Sequence, residues 1–174
     1  MFTWKKYFTY QTDYQHWAND VLFNSLDMLD EDARKSPQGL FFDSAHNTVD
    51  HMLVVTKNWM ARLKQESAAL PYNKVHCPEW KDLKKSLRQE VRDMQRWLDG
   101  CPEGFFDEQL FYRGSNGKEQ SIWVRDALTH IMTHMVHHRG QVSAICTRLG
   151  SPTPEMDYVY YKREVQDFLD NVKK

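Results

Sequence analysis

The segment SIWVRDALTHIMTHMVHHRGQVSAICTRLG, residues 121–150, decides the fold. We predict one long helix over Ile122–Leu149, because Ser121 is a favoured N-cap and because Gly150 and Pro152 end helices. Four of the chain's eight histidines lie in a nine-residue stretch of this helix: His130, His134, His137 and His138. This density of imidazoles makes the helix the starting point for function as well as for the fold.

Three more long helices are predicted from apolar residues that recur at three- and four-residue steps, the spacing of one helical face. The first covers Phe2–Leu29, the second runs from an N-cap at Ser44 to Gln65, and the third covers Glu79–Asp99. Polar segments that contain proline, Asp30–Gly39 and 66–78, are predicted to be connections.

Residues 105–120 depart from the helical pattern. Leu110–Arg113 followed by Gly114–Gly117 predicts a short hairpin, because Asn-Gly is the strongest two-residue turn signal. A last short helix is predicted over Tyr160–Asn171. Four long helices with short or medium connections predict an all-α fold, a four-helix up-and-down bundle that forms one domain over residues 1–174.

Composition and charge exclude several classes of protein. The 174 residues carry 23 Lys and Arg against 24 Asp and Glu, a net charge of −1, so the basic surface of a nucleic-acid-binding domain is not expected. No apolar run approaches the ~18–20 residues of a membrane span, and the N-terminus does not resemble a signal peptide. The three cysteines are widely spaced and form neither a disulfide framework nor a Cys-x-x-Cys metal motif. We expect a cytoplasmic protein that binds neither nucleic acid nor membranes.

The histidines of the long helix have the spacing of metal ligands. Positions four residues apart stack on one helical face, and these are His130, His134 and His138. Two imidazoles at i and i+4 can direct nitrogens at one ion. The second helix offers His46 and His51 for a third ligand, and His51 lies among apolar positions, which predicts an inward face. Three imidazoles with an open fourth position are typical of catalytic zinc sites, although Ni, Fe or Cu suits imidazole as well.

An alternative interpretation needs no metal: the histidines are then core or surface residues whose hydrogen bonds are made within the protein or to water. His137 fits a solvent-facing position better than a ligand position, and His16 and His76 are interpreted as surface or packing residues.

Neighbours of the histidines are candidates to position them. Asp50 is a candidate to orient an imidazole, and Gln141 is a candidate to orient one or to donate to a ligand, because metal-bound histidines nearly always donate their second N–H to a carboxylate or carbonyl. Ordinary surface contacts are the alternative for both residues. Gly140 costs about 1 kcal/mol in a helix interior relative to Ala, which a close helix–helix approach would explain.

The stretch HMVHHRGQ, residues 134–141, resembles the His-x-x-x-His-Arg-Gly-Gln signature of the DinB/YfiT-like family of metal-dependent enzymes. Other segments that resemble the family are Tyr14–Asn19, Thr48–Leu53, Trp59–Leu63 and Asp157–Glu164. The resemblance implies a four-helix bundle, commonly a homodimer, with a divalent metal held by three histidines. Carried over to this chain, those ligands are His51, His134 and His138, and we expect zinc or nickel. His130 also occupies a position where relatives often have histidine, but it is not predicted to be a ligand.

The resemblance leaves the reaction open. Relatives of known activity are thiol-dependent transferases or isomerases that use low-molecular-weight thiols, whereas others are described only as damage-inducible. The first hypothesis is a metal-dependent transferase or hydrolase that acts on a small molecule, with a thiol as co-substrate in the transferase case. The second is a non-catalytic, dimeric stress protein with a structural ion, and the third is a helical interaction module without metal. No inward Asp or Glu is evident beside the histidines, which favours thiol transfer over hydrolysis because hydrolysis needs a general base.

Overall fold

The computed structural model describes residues 3–66, 70–114 and 117–172. The helices are α1 (Trp4–Asp27), α2 (Glu31–Lys35), α3 (Ala45–Leu63), α4 (Trp80–Gly100), α5 (Val124–Arg148) and α6 (Tyr158–Val172). A short 3-10 helix (Glu103–Asp107) precedes the strands β1 (Gln109–Arg113) and β2 (Glu119–Trp123). The predicted helix start at Phe2 and the Asn116 part of the turn lie outside the described residues.

The four long helices form a bundle around one core, which confirms the predicted all-α fold. The helix pairs in extensive contact are α1 with α4, α4 with α3, α3 with α5, and α5 with α1. The order around the core is therefore α1, α4, α3, α5. This order makes α3 and α5 direct neighbours, so a histidine on α3 can face the histidines on α5. None of the described helices is long and apolar enough to cross a membrane.

The start of α5 differs from the prediction. Ser121 and Ile122 belong to β2, where they pair with Phe111 and Leu110 of the antiparallel strand β1. Their backbone groups are used by the strand pairing, so the helix begins only at Val124. Its first N–H donates to the carbonyl of Glu108 at 3.0 Å, which replaces the side-chain cap that Ser121 was predicted to supply.

Other boundaries follow local capping. Ser44 caps α3 as predicted, since its hydroxyl accepts from the N–H of Asn47 at 3.2 Å. The predicted connection Asp30–Gly39 contains the short helix α2, which Asp30 caps by accepting from the N–H of Ala33 at 2.7 Å. The last helix begins at Tyr158, two residues earlier than predicted.

Candidate metal centre

Helices α3 and α5 bring three histidines together on the inner side of the bundle. His51 comes from α3, and His134 and His138 come from α5; one nitrogen of each ring lies within 4.8 Å of the other two. The Nε2 atom of His134 is 3.1 Å from Nε2 of His51 and 3.1 Å from Nε2 of His138. The three ligands predicted for a metal are therefore the three that the fold brings together.

The donor set fits a divalent ion. Metal–nitrogen bonds of about 2.0–2.1 Å in a tetrahedral arrangement place ligand nitrogens about 3.3 Å apart, close to the observed separations. The Nδ1 atom of His138 is 2.7 Å from Oε1 of Gln141 and donates to it, so the neutral ring presents a lone pair at Nε2. Of the alternatives considered for Gln141, this contact favours the one in which it orients an imidazole.

The environment keeps the rings neutral. Burial, with a smaller contribution from repulsion by His138, lowers the pKa of His51 to about 4. Burial and the neighbouring histidines lower the pKa of His134 to about 3. Metal ligation needs the unprotonated imidazole, so these shifts favour an ion over a proton.

An aromatic side chain that the sequence analysis missed covers the cluster. The ring of Phe42 stacks on His51, with 3.8 Å between ring centroids, and meets His138 edge-on at 5.6 Å. A tight turn positions it, in which the N–H of Asp43 donates to the carbonyl of Leu40 at 2.9 Å and Asp43 adopts a φ of 70°. Periodicity gives no signal for such a turn residue.

The remaining histidines lie outside the three-histidine cluster. His46, considered as a ligand, is buried, and its Nε2 is 2.8 Å from the carbonyl oxygen of Cys77. His130 packs against the ring of Trp59 at 5.1 Å. His137 is exposed, as predicted. His16 is half-buried and His76 is exposed, in agreement with their interpretation as packing or surface residues.

Asp50 does not orient a histidine, so that prediction is wrong. Its two carboxylate oxygens accept from the backbone N–H groups of His76, at 2.9 Å, and Cys77, at 2.7 Å. Successive residues of a helix point about 100° apart, which turns Asp50 away from the cluster that His51 faces. Asp50 instead attaches the segment between α3 and α4 to the bundle.

Gly140 does not mark a close approach of helices, so that prediction is also wrong. A Cβ atom added there would have no heavy atom within 4 Å apart from its own helix and chain neighbours. The structure gives no packing reason for the glycine.

Two cavities adjoin the cluster, and His51 and Tyr72 line both. The first, of about 460 Å³, is largely apolar and includes Phe42 and Val54 in its lining. The second, of about 320 Å³, we call the Arg62 cavity; it is also lined by Val55, Trp59, Arg62, Tyr112, Gly114, Gln120, His130 and His134. Among the described residues no fourth protein ligand joins the cluster, so a bound ion would be reachable from the cavities.

Comparison with known proteins agrees with this architecture. The sequence model of the DinB family matches residues 3–167. The chain belongs to the DinB family. The DinB protein of Bacillus subtilis (strain 168) is 20% identical over 154 residues, covering 86% of this chain and 90% of that protein. The family resemblance carried by the histidine motif is thus confirmed across nearly the whole chain.

Proposed function

We propose that this DinB-family chain is a metal-dependent enzyme in which His51, His134 and His138 hold a divalent ion, zinc or nickel, and leave a position for a small molecule. The observation that carries the proposal is the convergence of three neutral imidazoles next to two cavities. A bound divalent ion lowers the pKa of a water or thiol at its open position and so supplies a nucleophile at neutral pH.

The lack of a free carboxylate among the described residues that line the two cavities favours thiol transfer over hydrolysis. Asp50 is the acidic residue among those that line the two cavities within the described chain. Both of its oxygens already accept backbone N–H groups, so it is poorly placed to act as a general base toward water. A thiol needs no such base once it is deprotonated. The proposed substrates are a small electrophile and a low-molecular-weight thiol.

The first test is the metal content of the purified protein by elemental analysis. We expect one divalent ion per chain in the native protein and in His76→Ala, the matched exposed histidine. The ion should be lost in His51→Ala and in His138→Ala. A native protein that takes up no metal, even after reconstitution, would overturn the proposal and leave the histidines as packing residues.

A second test separates the enzyme from a protein with a structural ion. A cobalt-substituted protein should change its visible spectrum when a small thiol is added, because an open position exchanges its ligand. An unchanged spectrum at saturating thiol would favour the non-catalytic stress protein. The homodimer and the cytoplasmic location stay predictions, and sedimentation velocity measures the first of them.

A further inference from the structure

The Arg62 cavity contains a cation held in a defined position. The guanidinium carbon of Arg62 lies 4.7 Å from the ring centroid of Trp59 and 5.1 Å from that of Tyr112. Its Nη2 atom donates to the hydroxyl of Tyr72 at 3.4 Å. Aromatic contacts with two rings restrict the guanidinium, and its N–H groups along the edge suit a planar acceptor.

Among the residues that the structure describes, Arg62 lacks the carboxylate partner that three arginines of the chain have. Arg88, Arg96 and Arg125 each form an ion pair with an aspartate. Within the described part of the chain, no carboxylate lies within 4 Å of the Arg62 guanidinium. The planar fork of a guanidinium suits bidentate recognition of a carboxylate, so the unpaired, half-buried Arg62 is free to bind the carboxylate of a ligand.

The position of Arg62 connects this cation to the metal centre. His51, Val55, Trp59 and Arg62 follow one another on α3 at steps of four, four and three residues, so they share a helical face. On the facing helix, the ring of His130 lies 5.1 Å from Trp59 and 5.5 Å from His134. The cavity therefore runs along this face, from the metal-binding histidines at one end to Arg62 at the other.

The charge of the cavity has one sign. Its lining residues include the guanidinium of Arg62, and no aspartate or glutamate is among them in the described chain. An anionic group entering this cavity would meet a favourable potential with no carboxylate to repel it.

We propose that the Arg62 cavity binds the carboxylate of an elongated small molecule whose other end reaches the metal centre. This inference rests on the proposed function and adds the substrate class: one of the two reactants carries a carboxylate several bonds from its reacting group. The hairpin acquires a role here, since β1 supplies Tyr112 and β2 supplies Gln120, whose amide oxygen accepts from the Tyr112 hydroxyl at 2.8 Å.

The test compares matched ligands on the cobalt-substituted protein. Mercaptohexanoate and mercaptohexanol share a thiol and a chain and differ in the carboxylate. We expect mercaptohexanoate to bind about 10- to 100-fold more tightly in the native protein, as judged by the cobalt spectrum, and this advantage to disappear in Arg62→Gln. Arg62→Lys should keep part of it, because it retains the charge without the planar fork. Arg113→Gln, an exposed arginine on β1 outside the cavity, is the matched control.

A second experiment tests the case in which the electrophile, rather than the thiol, carries the carboxylate. If the two thiols bind equally, calorimetric titration with hexanoate in the presence of mercaptoethanol, whose short chain leaves the Arg62 cavity free, should still show binding that Arg62→Gln abolishes. Equal thiol affinities together with hexanoate binding that is absent or independent of Arg62 would overturn the inference. A cobalt spectrum that no thiol changes would contradict the thiol chemistry of the proposed function, while the hexanoate titration would still decide the role of Arg62.

Discussion

At the scale of single residues, the orientation of each imidazole decides whether the cluster can hold an ion. His138 is held by Gln141, whereas the Nδ1 atoms of His51 and His134 are buried and have no hydrogen-bond partner among the described residues. Among the described residues, Gln141 is therefore the one side chain seen to fix the tautomer of a histidine in the cluster. Removing the Gln141 side chain should therefore weaken metal binding.

We expect Gln141→Ala to weaken metal binding by about 10- to 100-fold, the usual effect of removing the hydrogen-bond partner of a metal-bound histidine. Competition with a chromophoric chelator measures the dissociation constant. Gln141→Glu keeps an acceptor at the same place and should retain most of the affinity. An unchanged dissociation constant in Gln141→Ala would show that the contact does not orient His138.

The depressed pKa values of His51 and His134 predict a pH-dependent stability of the metal-free protein. In the unfolded chain both imidazoles titrate near ~6.5, whereas in the folded chain their pKa values are about 4 and about 3. The unfolded state thus binds more protons than the folded state below pH ~6.5. The free energy of unfolding is therefore at its full value above this pH and decreases as the pH drops toward 4. Urea denaturation at several pH values measures the slope. His134→Gln should flatten it, and a slope unaffected by this change but altered by His76→Gln would contradict the assignment.

At the scale of elements, α3 does more than contribute apolar side chains to the core. Its buried polar residues attach the segment between α3 and α4, which carries Tyr72 to the cavities. Asn58 exchanges two hydrogen bonds with the backbone of Leu70, at 2.9 and 2.7 Å, and Asp50 binds the N–H groups near the other end of the segment. The cavity walls therefore depend on polar contacts inside the bundle.

Asp50→Asn should loosen this segment without removing the ion. An amide offers one neutral acceptor atom in place of a carboxylate that binds two N–H groups, and lost hydrogen bonds to a charged group cost about 1.5–3 kcal/mol. Hydrogen exchange at the amides of His76 and Cys77 should accelerate, while metal affinity stays near the native value. Asp20→Asn, which removes a surface ion pair with Arg88, is the control. A large loss of metal affinity in Asp50→Asn would instead restore a direct role in orienting His51.

The elements also show why sequence reasoning reached the three-histidine cluster but not the cavities. His134 and His138 share a face for reasons of helical geometry alone, and an inward position of His51 follows from its apolar neighbours. Phe42 and Tyr72 come from connections, and Tyr112 comes from a hairpin, so their positions depend on tertiary contacts that periodicity does not encode. The same limit explains why the predicted start of α5 is wrong. Ser121 and Ile122, which local capping signals assigned to the helix start, pair instead as part of β2.

At the scale of the whole molecule, the bundle is held together by more than the cluster. Arg139 is 2% exposed, and its Nη1 donates to the side-chain oxygens of Gln15, at 2.6 Å, and Asn19, at 3.0 Å, which joins α5 to α1. Its guanidinium carbon lies 5.2 Å from the ring of Tyr14, which in turn packs against Tyr161 of α6. The arginine of the family motif therefore has a structural role next to the three-histidine cluster.

Because these contacts and the apolar core do not involve the ion, the metal-free protein should remain folded and gain stability when the metal binds. An ion at about 100 times its dissociation constant adds about 2.7 kcal/mol, which raises Tm by roughly 5–10 °C for a chain of this size. Calorimetry in the presence of chelator and of metal measures the shift, and His51→Ala should show none. A metal-free chain that is unfolded, as zinc fingers are, would mean that the ion is a structural element, and it would favour the non-catalytic alternative over an open, exchangeable centre.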